Sequence, residues 1–147
     1  MNSTIEKFGY PASLVEELEY WLILLRPAQV TLGSLVLAAK SDAIAYGDLP
    51  QAAFTEQKQA IEQIERALIG FVRYERINYL MLMMVDPHVH FHVIPRYSEQ
   101  RNWNGLDFAD MGWPGSPRLD AAVTLDPQQL SALTADMSTH FRSVAGN

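Results

Sequence analysis

At 147 residues, with 48% apolar and 19% charged residues, the chain fits one compact domain over 1–147 with a sizeable core and is set apart from disordered segments. Lys and Arg number 11 against 17 Asp and Glu; the net charge of −6 argues against a nucleic-acid polymer as partner, though not against a small phosphate ligand in a local pocket. Cysteine is absent, which excludes disulfides, thiolate metal sites and a cysteine nucleophile, and a cytoplasmic location is expected.

Residues 1–13 lack the apolar core of a signal peptide. The longest apolar runs, 20–25 and 79–85, fall far short of the roughly 20 residues that span a bilayer, so they read as buried strands and no membrane partner is expected. The first predicted strand covers 19–26 and is closed by Pro27. A loop with Gln29 and Gly33 leads to a second strand over 34–39, and so short a connection predicts an antiparallel pair. After a loop over 41–49, Pro50 suits the first turn of a helix running to about Tyr74. Phe54, Ile61, Ile64, Leu68, Phe71 and Val72 form its apolar stripe, as expected of a helix packed on a sheet.

A third strand is predicted over 77–85, then a tight turn at Asp86-Pro87, then a fourth strand over 88–96 ended by Pro95. Residues 97–117, rich in Gly, Pro, Asn and Trp, predict a long surface loop. A last helix over about 127–141 has Asp126 as its cap and Leu130, Leu133, Met137 and Phe141 as its buried stripe. This order predicts an α+β fold with an antiparallel sheet.

Three of the four histidines stand at His88, His90 and His92. Side chains alternate along a strand, so the three share one face while Val89, Phe91 and Val93 take the other. Three imidazoles are costly to bury without partners, which points to a use. One use is nucleophilic: a neutral imidazole attacks phosphorus, its second nitrogen held protonated by a fixed acceptor, while neighbouring donors stabilise the charged oxygens. The other is a metal site, because neutral imidazole is a favoured ligand. On the residues alone the two are comparable.

The run His88-Val89-His90-Phe91-His92-Val93-Ile94 fits the histidine-triad (HIT) pattern of His, apolar, His, apolar, His, apolar, apolar. Pro95-Arg96 resembles its continuation in the Fhit branch, and Leu32-Gly33-Ser34-Leu35-Val36-Leu37 with Lys40 resembles the family's Gly-His-hydrophobic run. The resemblance covers roughly residues 18–97. It implies a HIT-like fold with a five-stranded antiparallel sheet, a long helix after the first hairpin and a C-terminal helix. It further implies a hydrolase or transferase acting at the α-phosphate of a nucleotide conjugate such as a phosphoramidate or dinucleoside polyphosphate. His90 would be the nucleophile, His92 would bind phosphate oxygens or the bridging atom, and His88 would support the site. A homodimer is implied, as is a reaction that requires no cofactor, with magnesium an aid on polyphosphate substrates.

Two features depart from the pattern. Ser34 stands where the family usually has histidine, and Met81-Leu82-Met83-Met84-Val85-Asp86-Pro87 runs into His88 without the Gly-rich, Gln- or Ser-bearing loop that donates to phosphate. The phosphate environment must then be built differently. Arg96, Ser34 and Trp103 are the candidate substrate-binding residues: Arg96 shares the parity of the triad, and Trp103, like Trp113, is placed to stack on a base or to pack over an interface. Asp86 is either a turn former or a carboxylate that orients His88. His140 is expected to be a surface or packing residue. The alternatives are a metal-binding protein using His88, His90 and His92, and a nucleotide-binding module with little turnover. Against the metal stands the spacing of about 7 Å between successive side chains on one strand face.

Overall fold

In a computed structural model that describes residues 1–145, the chain begins with a one-turn helix, α1 (Ser3–Lys7), and a strand, β1 (Leu14–Glu17). Next come β2 (Trp21–Leu25), the two-residue β3 (Ala28–Gln29), β4 (Leu35–Ala39), α2 (Gln51–Val72), β5 (Arg76–Leu80) and β6 (His90–Arg96). The hairpin strands β7 (Arg101–Trp103) and β8 (Leu106–Phe108), the short β9 (Val123–Thr124) and α3 (Pro127–Val144) complete it. The main sheet has five strands in the order β1-β2-β4-β6-β5, every neighbour antiparallel. The fold is therefore α+β, with the long helix after the first hairpin and a helix at the C-terminal end, as the sequence implies.

Every residue of β2 and β4 is buried, because the sheet is covered on both faces. Trp21, Ile23, Leu25, Leu35, Leu37 and Val93 meet α2 and α3 on one face. Leu22, Leu24, Val36 and Ala38 meet Ile5 and Phe8 on the other. Ala38 pairs with His90 and Val36 with His92, so these two histidines belong to the α1 face. Helix α2 buries Ala53, Ala60, Ala67, Ile64, Leu68 and Val72, whereas Phe54, Ile61 and Phe71 of the predicted stripe are only partly buried. Small residues bring the helix axis close to the sheet, and Trp21 Nε1 donates to Ala53 O at 2.7 Å across that contact.

The structure corrects the sequence reading at several boundaries. No element was expected before Glu19, yet α1 and β1 lie there. The third strand stops at Leu80 rather than Val85, because Met83 has φ 50° and Leu82, Met84 and Val85 turn out to solvent. The fourth begins at His90 rather than His88. Pro95 does not end it: β4 pairs with β6 only as far as Val93, so at Pro95 the strand needs hydrogen bonds to β5 alone. The loop over 97–117 contains a hairpin, with Asn104 and Gly105 at φ 51° and 80°, the positive values that a two-residue turn between strands requires. Asp126 caps α3 as expected and Gln129 completes a capping box. No helix among the described residues is long and apolar enough to cross a membrane.

Candidate active site

Strand β6 carries His90 and His92 side by side, both buried, with ring centroids 5.1 Å apart in a T-shaped arrangement. Phe8, at the end of α1, lies 5.6 Å from each ring. A pocket of about 350 Å³ opens here, lined by both imidazoles, Phe8, Lys7, Arg26 and the segment from Leu82 to Asp86.

The hydrogen bonds fix the two rings in opposite tautomers. His90 Nδ1 is 2.7 Å from the carbonyl oxygen of His88. A carbonyl only accepts, so His90 Nδ1 carries a proton, and in the neutral ring the lone pair falls on Nε2. His92 Nδ1 is 3.4 Å from Arg26 Nε, which only donates. His92 therefore accepts at Nδ1 and carries its proton on Nε2. Burial first, then the charge of Arg26, then His90, push His92 down to about 4 from the ordinary 6.5, so the ring is neutral near pH 7. With His90 neutral, the pair combines a lone pair on Nε2 of His90 with an N–H donor on Nε2 of His92.

The third histidine is held apart. His88 precedes the strand, and its Nδ1 shares a hydrogen bond of 2.9 Å with Thr4 Oγ1. What it presents to His90 is its backbone carbonyl. Asp86 pairs with Lys7 at 2.9 Å. Among the described residues, no group of three or more His, Cys, Asp or Glu side chains is placed to hold a metal ion.

The predicted substrate-binding residues are not brought to this pocket. Arg96 keeps the histidines' face but lies four residues further along the strand, about 13 Å away. Its guanidinium is buried in a two-pronged pair with Asp110 at 2.7 and 3.0 Å and donates to Asn78 Oδ1 at 2.8 Å. It lines a separate cavity of about 550 Å³, with Trp113 in its wall. Ser34 is fully buried; its hydroxyl donates to Thr31 O at 2.8 Å and accepts from Thr31 N at 3.0 Å, closing the turn before β4. Trp103 donates to Asp136 Oδ2 at 2.9 Å and packs on the helix face of the sheet, opposite the histidines. His140, read from the sequence as a surface or packing residue, packs edge-on against Phe71.

Conversely, Thr4, Phe8 and Arg26 surround the imidazoles and were missed. Arg26 had a signal: it is a cation that closes an all-apolar strand immediately before Pro27.

No family model matches the chain, and no curated protein matches it in sequence. Solved structures do match in three dimensions. A histidine triad protein from Bradyrhizobium japonicum has a TM-score of 0.67 at 17% identity, over 97% of this chain and 95% of the other. A hypothetical histidine triad nucleotide-binding protein from Sulfolobus tokodaii also reaches 0.67 at 17% identity, over 96% and 91%. A zinc-bound histidine triad family protein from Mycobacterium smegmatis gives 0.54 at 20% identity, over 92% of each chain. The chain has the fold of the histidine-triad proteins, the family that its His88–Ile94 run resembles.

Proposed function

We propose that the protein is a nucleotide hydrolase or transferase in which Nε2 of His90 attacks the α-phosphorus of a nucleotide conjugate. The observation that carries this reading is the pair of opposite tautomers on β6. The backbone carbonyl of His88 aims the His90 lone pair into the pocket, and His92 Nε2–H stands ready to donate to a phosphate oxygen or to the bridging atom. In the first step the bond from phosphorus to the leaving group breaks and a phosphorus–nitrogen bond forms, giving a nucleotidyl-histidine; solvent protonates the departing group. Water, or another nucleophile, then attacks phosphorus; the phosphorus–nitrogen bond breaks, the nucleophile's proton passes to solvent, and His90 is freed. Phosphoramidates and dinucleoside polyphosphates are the substrates to screen, and a homodimer is the proposed assembly. The fold shared with a protein described as nucleotide-binding supports the ligand class.

His90→Ala should lower turnover of a nucleoside phosphoramidate by several orders of magnitude. Rapid quench of the wild type with a labelled substrate should trap an acid-labile adduct on His90, and turnover should survive EDTA. Near-normal turnover by His90→Ala, or label on another residue, would overturn the mechanism. Activity lost to EDTA and restored by zinc would favour a metal-dependent reaction instead.

A further inference from the structure

The chain lacks a donor-bearing loop ahead of the triad, so some other group must meet the charge of a bound phosphate. Two cations line the histidine pocket, Lys7 and Arg26. Lys7 is already neutralised by Asp86 at 2.9 Å. Arg26 is not. It is half-buried, its Nη1 donates to Ala28 O at 2.5 Å and its Nε reaches His92, but among the described residues it forms no ion pair and its Nη2 has no hydrogen-bond partner. Arg96 shows the contrast within one molecule: its guanidinium is buried against a two-pronged carboxylate. Arg26 is desolvated beside two imidazoles with no counter-ion, and burial lowers its affinity for the proton as a result. A half-buried cation that opens onto a pocket, with one nitrogen unused, is completed by an anion arriving from solvent.

We propose that Arg26 binds the charged oxygens of the phosphate at the His90–His92 pair, in place of the missing loop donors. Its contact with His92 gives it a second effect, because the Nε donor holds His92 with its proton on Nε2. One arginine thereby supplies a charged donor directly and a neutral one through the ring. The ligand class follows from the walls. The imidazoles and Arg26 take a phosphate, and the apolar walls of Phe8, Leu82, Met83, Met84 and Val85 take an apolar or aromatic group attached to it.

The inference rests on the reading of this pocket as a nucleotide site, and the test separates the two. Calorimetry with adenosine monophosphate and with uncharged adenosine isolates the phosphate. The wild type should bind the monophosphate at least about tenfold more tightly than the nucleoside, as expected for a charge-assisted contact. Arg26→Met should erase that preference while leaving adenosine binding in place, and Arg26→Lys should retain part of it. On a phosphoramidate, kcat/KM of Arg26→Met should fall by about 100-fold, the scale for loss of one phosphate-oxygen donor. Circular dichroism and the melting temperature show whether the variants fold, and Arg26→Lys serves if Arg26→Met does not. Equal binding of monophosphate and nucleoside by the wild type, or an undiminished preference in a folded Arg26→Met, would overturn the role of Arg26. Monophosphate binding that depends on Arg26, with no turnover and no adduct on His90, would uphold Arg26 and sink the catalytic reading.

Discussion

Two imidazoles of the same sequence motif differ here in the role of Nδ1, which faces an acceptor in one ring and a donor in the other. That difference is set by a backbone carbonyl for His90 and by an arginine for His92. The motif itself, and the shared face of His90 and His92, were legible in the sequence because alternation along a strand is a local rule; His88, expected on that face too, precedes the strand. The partners were not. Arg26 lies 66 residues from His92 and Thr4 lies 84 from His88, so only the closed sheet brings them together. The same holds for Arg96, whose parity was read correctly but whose guanidinium is taken by Asp110. The depressed His92 has a consequence for stability. Between pH 6.5 and about 4, the unfolded chain binds a proton at this ring that the folded chain refuses. The contribution is therefore complete above that window, declines as the pH falls through it and levels off below. Urea unfolding at pH 7, 5.5 and 4 should show a shallower loss of stability for His92→Asn than for the wild type across that window. Parallel losses would mean that the ring is freely protonated in the folded protein.

At the scale of elements, the long helices and β6 were readable from periodicity, and β2 and β4 from continuous apolar runs closed by turn residues. The failures were at short elements. The hairpin of β7 and β8 was signalled by Asn104-Gly105, while α1 and β1 are too short to show a period. The short helix matters most for the site. Asn2 caps α1 through Ile5 N at 3.0 Å and ties it to the sheet by donating to Ala39 O and Ser41 O at 3.2 and 3.0 Å. Ile5 and Phe8 then close the histidine face. Truncation of Phe8 to alanine should cost about 3 kcal/mol in urea unfolding, as for loss of a buried ring. A loss under about 1 kcal/mol would show that α1 does not pack on the imidazoles in solution.

For the whole molecule, the sheet covered on two faces leaves two edges, β1 and β5. Next to β5, Leu82, Met84 and Val85 are 50%, 84% and 83% exposed, an apolar segment that also rims the pocket. Covered edges and covered apolar surface both favour association of two copies. Light scattering at micromolar concentration should report a homodimer; the 16.6 kDa monomer mass throughout that range would count against it. The overall charge of −6 does not extend to the histidine pocket, which has in Arg26 a cation unpaired among the described residues.

The anchor of His90 is a peptide oxygen, and this divides the motif into unequal parts. A peptide oxygen survives any change of side chain, so the tautomer of the central histidine is written into the path of the backbone and not into the identity of residue 88. Mutational drift at His88 can remove its bond to Thr4 without disarming the lone pair two residues on. Drift at 90 or 92 removes a ring from the pocket itself, and with it the nucleophile or the donor of the proposed mechanism. The three histidines that look equivalent in the sequence are thus unequal: at 88 it is the backbone that His90 uses, at 90 and 92 it is the ring that faces the pocket.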